Sequence, residues 1–411
     1  MSAMESSASA RRTLAAVVTA TAAVGFQQGM TQGTFSRMLD SMGRLDAAGG
    51  LLVMAFSLGV ILASFATALI IRSLGDRKLV VMGAFCAALA WLTHALGRNY
   101  VAGLPIFFVG GLGHGAVLAG ATAAAAHAGG EATSRRISLV QGFYMMGEAG
   151  GALAGGYTGA VYRWLSGGAL HEPRAWAIGF GVSALFSVVA ALLAAGMMRG
   201  PDSDDLPEPV RLGVLKEIAI IPGVALVLGF LFLDIGVESG LCAWLSRYLQ
   251  KQWMTGPALA GWAVSLFYVG MSGGRLIFGC WTPATAKAKM VLIASACCAV
   301  LACTLALVPP PASLALSALT GLAVALIIPY GLAIIRDRCP DRLAGPATSA
   351  ALGLACIAGS VVPPVIGAAA QWSGFFMLAM LIPSALCLLI VALVIVLIGK
   401  SPEASSARTG P

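Results

Sequence analysis

Long apolar stretches fill this 411-residue chain almost without interruption over residues 13–399. A helix needs about 20 residues to cross a hydrocarbon core of roughly 30 Å, and about a dozen stretches approach that length. Hydrophobic residues make up 59% of the sequence and charged residues only 10%, far less charge than the surface of a soluble domain requires. The stretches are continuously apolar rather than alternating, which disfavours a transmembrane barrel. The sequence therefore predicts an all-α integral membrane protein.

We predict twelve transmembrane helices arranged as two pseudo-symmetric six-helix bundles. The spans lie near residues 13–35, 50–72, 79–98, 101–128, 137–164, 174–198, 216–246, 257–281, 288–308, 312–336, 346–371 and 374–399. The longest polar interruption follows the sixth span and is rich in proline and acidic residues, which favours a non-helical linker. The predicted units are a tail at 1–12, bundles at 13–198 and 216–399, a linker at 199–215 and a tail at 400–411.

Lysine and arginine are concentrated in the loops on one side of this topology. With the N-terminus in the cytoplasm, most of the 25 Lys and Arg residues lie in cytoplasmic segments, as the positive-inside rule requires. We therefore expect a multi-pass protein of the inner (plasma) membrane with both termini in the cytoplasm. This distribution accounts for the net charge of +8, so the charge does not indicate a nucleic-acid partner.

Four ionisable residues lie within the predicted spans, namely Glu148, Asp234, Glu238 and Arg275. An ionisable group in hydrocarbon costs a few kcal/mol, so it usually faces a cavity or a partner. Asp234 and Glu238 are four residues apart in span seven and share one helical face. Two carboxyl groups this close in a cavity do not both ionise easily, which favours loading and release of a proton. The alternatives are that they line a water-filled vestibule or pair with Arg247.

The two halves carry similar glycine patterns in corresponding spans. Gly147 opens a run of glycines spaced by four residues in span five, and Gly359 opens a similar spacing in span eleven. Gly111 in span four likewise corresponds to Gly321 in span ten. A repeat of six spans is one architecture of transporters. Chance matches between Gly- and Ala-rich helices are the alternative explanation.

A basic loop at residues 72–78 separates spans two and three, and Gly274-Arg275 closes span eight. With the repeat, these residues give the chain a resemblance to the major facilitator superfamily over nearly its whole length. The resemblance implies two bundles that rock about a central cavity and open it alternately to each side. It also implies gating roles, for which the candidates are Arg72, Gly75, Asp76, Arg77 and Arg275. Arg72 stands where this family carries its gating acid, so we expect a different pairing at the inner gate.

The resemblance also suggests how protons are coupled to transport. Glu238 and Trp244 are similar to the seventh-span pattern of fucose- and glucose-type porters, in which an acid and a tryptophan face the sugar. In this fold span five contacts span eight, which implies that Glu148 pairs with Arg275 in one conformation and separates from it in another. Snorkelling of Arg275 to the membrane surface is the alternative. The proton-coupling candidates are Asp234, Glu238 and Glu148.

Amide, hydroxyl and imidazole groups in the spans suit a neutral polar ligand. Gln28 and Gln32 share one face of span one, and amides bind such ligands at little cost. Each of these residues alone is also typical of a hydrogen bond between helices. The substrate-cavity candidates are Gln28, Gln32, His114, Gln141, Tyr144, Trp244, Tyr268 and Tyr330.

The expected function is secondary active transport by alternating access, in the form of proton-coupled symport of a small polar solute such as a sugar. A proton-driven drug or metabolite efflux antiporter is the alternative, because the glycines from Gly147 onward match much of the fifth-span signature of drug/proton antiporters. Ala152 replaces the proline of that signature and Ser138 its upstream glycine. A non-transporting membrane sensor is a further alternative.

The sequence contains no Walker loop, zinc-ligand spacing or Rossmann glycine pattern after a strand. We therefore expect neither an enzyme nor a site for a metal or cofactor. The expected partners are the transported small molecule, protons, with sodium as an alternative, and the lipid bilayer. We expect no nucleic acid among them and a monomeric protein.

Overall fold

The computed structural model describes residues 3–97, 99–126, 132–167, 174–198, 217–218, 220–279 and 287–399. The first half contains α1 (Ala3–Ser41), α2 (Asp46–Leu96), α3 (Tyr100–Ala126), α4 (Ala132–Leu165) and α5 (Ala175–Met197). The second half contains α6 (Val224–Gln252), α7 (Pro257–Gly279), α8 (Lys287–Leu307), α9 (Ala312–Val324), α10 (Ile327–Arg338), α11 (Asp341–Ser373), α12 (Phe376–Ala379) and α13 (Ile382–Gly399). The predicted linker at 199–215 and the C-terminal tail at 400–411 lie outside the described residues. The predicted N-terminal tail is helical from Ala3 onward, as a continuation of α1.

The described parts of the twelve predicted spans are largely helical, but the helix of span seven begins at Val224 rather than near residue 216, and span twelve is divided into α12 and α13. Spans two and three are separate membrane-crossing stretches of α2, divided by a kink at Gly75, where the backbone has φ 74° and ψ 158°. Only glycine adopts such angles readily. Span ten is divided into α9 and α10, because Pro329 has no N–H to bond the carbonyl group of Ala325 one turn earlier. The chain has the all-α fold of two six-helix bundles that its sequence predicts.

Hydropathy alone identifies nine membrane-crossing helical stretches within the described residues. The helices α1, α4 and α7 are long enough to cross a bilayer but are not among the nine. These three helices pack together, α1 against α4 and α4 against α7. A helix that faces other helices does not need a wholly apolar surface, which explains their lower hydropathy.

Glycines on both α1 and α4 bring the two helices into contact along their backbones. A methyl group on Gly29 would overlap the carbonyl oxygen of Glu148, and one on Gly151 would overlap that of Phe26. The same close approach is made by Gly25, Gly33, Gly147 and Gly155. Gly156 and Gly261 bring α4 and α7 similarly close, so α4 joins the first half to the second. This packing fixes the backbone that carries Glu148.

Candidate functional site

A cavity of about 230 Å³ lies between the two halves. Residues of α1, α2, α3 and α4 from the first half and of α6, α7 and α11 from the second line its wall. Several residues that the sequence suggests for substrate binding or proton coupling lie together at this cavity. Those on the wall are Gln28, Gln32, His114, Tyr144, Tyr268 and Glu238.

Two hydrogen-bonded groups form the polar part of the wall. The amide nitrogen of Gln32 in α1 donates to the hydroxyl group of Tyr268 in α7 at 2.8 Å, which joins the two halves across the cavity. The hydroxyl group of Tyr144 in α4 donates to Oε1 of Gln28 at 2.9 Å and lies 3.3 Å from Nε2 of His114. Polar residues from four different helices therefore converge on one site.

Three predicted cavity residues do not line this wall. Trp244 is fully buried, donates its indole N–H to the carbonyl group of Pro363 at 2.8 Å and packs edge-on against Phe35. Tyr330 is buried in a hydrophobic cluster of the second half. Gln141 lies on α4 about one turn before Tyr144 but is not part of the wall. The direction of a side chain depends on how each helix is rotated, and sequence spacing alone does not give that rotation.

Glu238 faces the cavity and Asp234 does not, although the two share a helical face. Oε2 of Glu238 lies 3.6 Å from Nη2 of Arg275, and each side chain is 21% exposed. Asp234 is completely buried, and neither of its carboxyl oxygens has a hydrogen-bond partner among the described residues.

Glu148 approaches the same charged group from the other half. Its side chain is 1% exposed and lies near Tyr144 and Tyr268, and its Oε2 has no hydrogen-bond partner in the part of the chain that the structure describes. Arg275 and Glu238 both interact electrostatically with Glu148. The predicted contact of α4 with α7 is therefore present, but Arg275 forms its ion pair with Glu238 rather than with Glu148.

The gating candidates around Gly75 contact the first half of the molecule. Asp76 is buried, and its Oδ1 accepts a hydrogen bond from the backbone N–H of Arg77 at 2.6 Å. The guanidinium group of Arg77 donates to the carbonyl group of Ala195 in α5. The side chain of Arg72 lies outside the described residues.

Ion pairs between the two halves lie where α1 ends and α2 begins, away from the kink at Gly75. Arg247 of α6 is 3% exposed; its Nη1 lies 3.0 Å from Oδ1 of Asp40, and its Nε donates to Oδ1 of Asp46. Lys251, one turn later, lies 3.0 Å from the same Asp40 oxygen. We call these four residues the Arg247 clamp. The alternative that Arg247 pairs with Asp234 or Glu238 is wrong, because its partners come from the first half.

Comparisons with known proteins agree with this architecture. The family model described as Major Facilitator Superfamily matches residues 226–410. A variant of the nucleoside transporter NupG superposes with a TM-score of 0.76 at 12% identity, over 94% of this chain and 99% of that one. A bacterial homologue of the human lysosomal transporter Spinster, inward-facing and occupied, superposes with a TM-score of 0.74 at 14% identity, over 95% of this chain and 97% of that one. A variant of the E. coli fucose:proton symporter FucP superposes with a TM-score of 0.63 at 17% identity, over 93% of this chain and 98% of that one.

The search of curated proteins found no matching sequence. At these identities the solved structures establish the fold, and the family model matches residues in the second half of the chain. The fold that the resemblance implies is thereby confirmed. The chain is a multi-pass membrane protein with the fold of the major facilitator transporters, and its residues 226–410 match the family model described as Major Facilitator Superfamily.

Proposed function

We propose that this protein is a secondary active transporter that carries a small polar solute through the cavity by alternating access. The observation that carries the proposal is the position of the cavity, whose wall is shared by the two halves while the Arg247 clamp joins them at one end. A shared site of this kind opens to either side of the membrane when the halves rock against each other. The family match and the fold both support secondary transport.

Coupling to protons is proposed to depend on Glu238, Glu148 and Arg275. Oε2 of Glu148 is buried without a hydrogen-bond partner among the described residues, which is costly for a carboxylate, so Glu148 favours either a bound proton or the guanidinium group of Arg275. Arg275 lies beside Glu238 in this conformation. Movement of Arg275 from one acid to the other would leave the first to take up a proton. Asp234, buried without hydrogen bonds among the described residues, is a second candidate to carry a proton in the same half.

The orientation forms part of the proposal. With both termini in the cytoplasm and the protein in the inner (plasma) membrane, the Arg247 clamp lies at the outer face. The conformation would then be closed to the outside. We further propose that the protein works as a monomer in the bilayer.

Efflux by proton antiport remains the second hypothesis from the sequence, but the structure offers no specific support for it. The α4 glycines that resemble the antiporter signature pack against α1 and α7. Close helix packing is therefore a sufficient reason for their presence.

Proton movement in proteoliposomes with a pH-sensitive dye in the lumen tests the proposal. The probes are glucose, fucose, lactate, uracil and tetraphenylphosphonium. Entry of a neutral probe should acidify the lumen, and Glu238→Gln should abolish this acidification. Asp337→Asn is the matched control, because Asp337 is a 56% exposed acid that pairs with Lys287 far along the chain from the cavity residues. Its acidification should equal that of the wild type.

Three results would contradict the proposal in different ways. Proton exit from the lumen on addition of tetraphenylphosphonium would favour the efflux antiporter. Solute entry that requires sodium and leaves the lumenal pH unchanged would replace proton coupling by sodium coupling, for which carboxylate ligands are also suitable. An unchanged proton flux in Glu238→Gln would remove this residue from the coupling mechanism.

A further inference from the structure

The cavity has two chemically different walls. The wall formed by α2 and α3 is mostly hydrocarbon, whereas α1, α4, α6 and α7 contribute amides, phenols and a carboxyl group. The hydrocarbon wall consists of Val53, Phe56, Val60, Ile61, Phe107 and Leu118. Two polar side chains also lie on α2 and α3. Ser57 donates to the carbonyl group of Gly359, and Nε2 of His114 lies 3.3 Å from the hydroxyl group of Tyr144, while Nδ1 of His114 has no hydrogen-bond partner among the described residues.

The hydrocarbon wall is held in place by close backbone packing. A methyl group on Gly59 of α2 would overlap the carbonyl oxygen of Phe108, and one on Gly111 of α3 would overlap that of Phe56. The Phe56 ring is also fixed edge-on to His114, with 5.2 Å between the ring centroids. A solute cannot induce this wall to present polar groups, so it must present an apolar surface to it.

The polar wall offers an unpaired hydrogen-bond acceptor. The hydroxyl groups of Thr31 and Ser239 already donate to backbone carbonyls, at 2.9 and 2.7 Å. Oε1 of Gln32 has no hydrogen-bond partner among the described residues, whereas Oε2 of Glu238 lies in the ion pair with Arg275. Leaving a buried acceptor unsatisfied is unfavourable. A solute that donates a hydrogen bond to Oε1 of Gln32 removes that cost.

Size and charge narrow the choice of solute. The volume of about 230 Å³ is below the roughly 300–1,000 Å³ of pockets for drug-sized ligands. The carboxyl group of Glu238 on the wall is paired with Arg275, so the site does not require a charged solute to balance it.

We infer that the solute is a small uncharged ring compound with N–H or O–H donors on one edge and an apolar remainder. This inference rests on the transport function proposed above and narrows its substrate class. It differs from the sequence-based expectation of a sugar, because hydroxyl groups surround the ring of a hexose. Several of them would face the α2 and α3 wall without hydrogen-bond partners, which weakens binding.

Ligand-induced stabilisation of the purified full chain in detergent tests this inference without requiring any proton movement. Uracil and resorcinol represent rings with donors on one side, glucose and myo-inositol represent polyols, and benzylamine represents a small organic cation. We expect uracil or resorcinol to bind at least tenfold more tightly than either polyol and than benzylamine. Gln32→Leu should weaken that binding by tenfold or more, because it removes an acceptor from the wall.

Two isosteric variants separate the hydrocarbon wall from general effects on stability. Val60→Thr places a hydroxyl group on that wall and should narrow the preference for ring compounds over polyols. Val269→Thr makes the same change at a 43% exposed position on α7 and should leave the preference unchanged. Tighter binding of polyols or of benzylamine, equal binding of all classes, or binding of none would overturn the inference. Selective ring binding without proton flux would count against proton coupling alone.

Discussion

At the scale of single residues, two buried glutamine side chains on α1 differ in how many of their hydrogen bonds are formed. Gln27 and Gln32 both lie on α1 and are both buried. Gln27 donates to Ser187 and accepts a hydrogen bond from the indole N–H of Trp91 at 2.9 Å, so both ends of its amide are engaged. The amide nitrogen of Gln32 donates to Tyr268, but its amide oxygen has no hydrogen-bond partner among the described residues. The first amide can only hold α1 in the bundle, whereas the second has capacity left for a solute.

Gln27→Leu is expected to destabilise the protein without changing solute preference. The substitution leaves the Trp91 N–H buried without an acceptor, at about 1–3 kcal/mol, so the melting temperature should fall. Thermal unfolding in detergent, followed by intrinsic fluorescence, measures this change. Thr19→Val is the control, because Thr19 is exposed and bonds only the carbonyl group of Ala15 in its own helix. Equal melting temperatures for both variants would show that the Trp91 bond contributes nothing measurable.

The sequence predicts which polar residues line the cavity better than it predicts the direction in which each side chain points. Gln28, Gln32, His114, Tyr144 and Tyr268 were predicted because polar side chains are rare in apolar spans. The position of Trp244 was predicted wrongly, because its apolar ring and its single N–H are satisfied equally well by Phe35 and the Pro363 carbonyl group. Which of two such environments a side chain occupies is set by helix rotation, a property of the assembled bundle.

At the scale of helices, α1 and α4 form one unit through matched glycines. The four-residue spacing that begins at Gly147 also occurs in α1, at Gly25, Gly29 and Gly33. Helices with matched small-residue spacing approach closely, so the two patterns together predict this pairing. The kink that separates spans two and three lies at Gly75, within the polar loop that the sequence places between them.

Gly151→Ala and Gly150→Ala are expected to differ although they are adjacent. A methyl group at Gly151 would overlap the Phe26 carbonyl oxygen and force α1 away from α4, at roughly 1–3 kcal/mol. The same group at Gly150 would meet a side-chain atom of Phe26 at 3.9 Å, an ordinary contact. Melting temperature and yield of purified protein should fall for the first variant only. Similar values for both would mean that the two helices separate without cost.

At the scale of the whole molecule, ion pairs around the buried Arg247 hold the halves together at one end. Arg247 is 3% exposed and binds two aspartates of the first half, whereas its neighbour Lys251 is 46% exposed on its side chain. Screening by solvent makes an exposed pair worth much less than a buried one. Resistance to opening at this end should therefore depend mainly on Arg247.

Arg247→Gln should shift the protein towards the conformation open at this end. Arg247 is buried, but the side chains of Asp40 and Asp46 are 45% and 21% exposed, so the loss costs less than the roughly 2–5 kcal/mol of a fully buried pair. We expect a severalfold change in the conformational equilibrium. Hydrogen exchange followed by mass spectrometry should rise over residues 42–50 and at the end of α6. Lys251→Gln should produce a smaller rise. If the two variants exchange alike, the buried pair does not hold the halves together.

The lower hydropathy of α1, α4 and α7 has a consequence for how the protein is made. A helix that does not favour the bilayer strongly by itself is retained there by helices already in place. During synthesis α1 emerges long before α4, the helix whose glycines match its own. We therefore expect α1 to be held securely in the membrane only after α4 has been made.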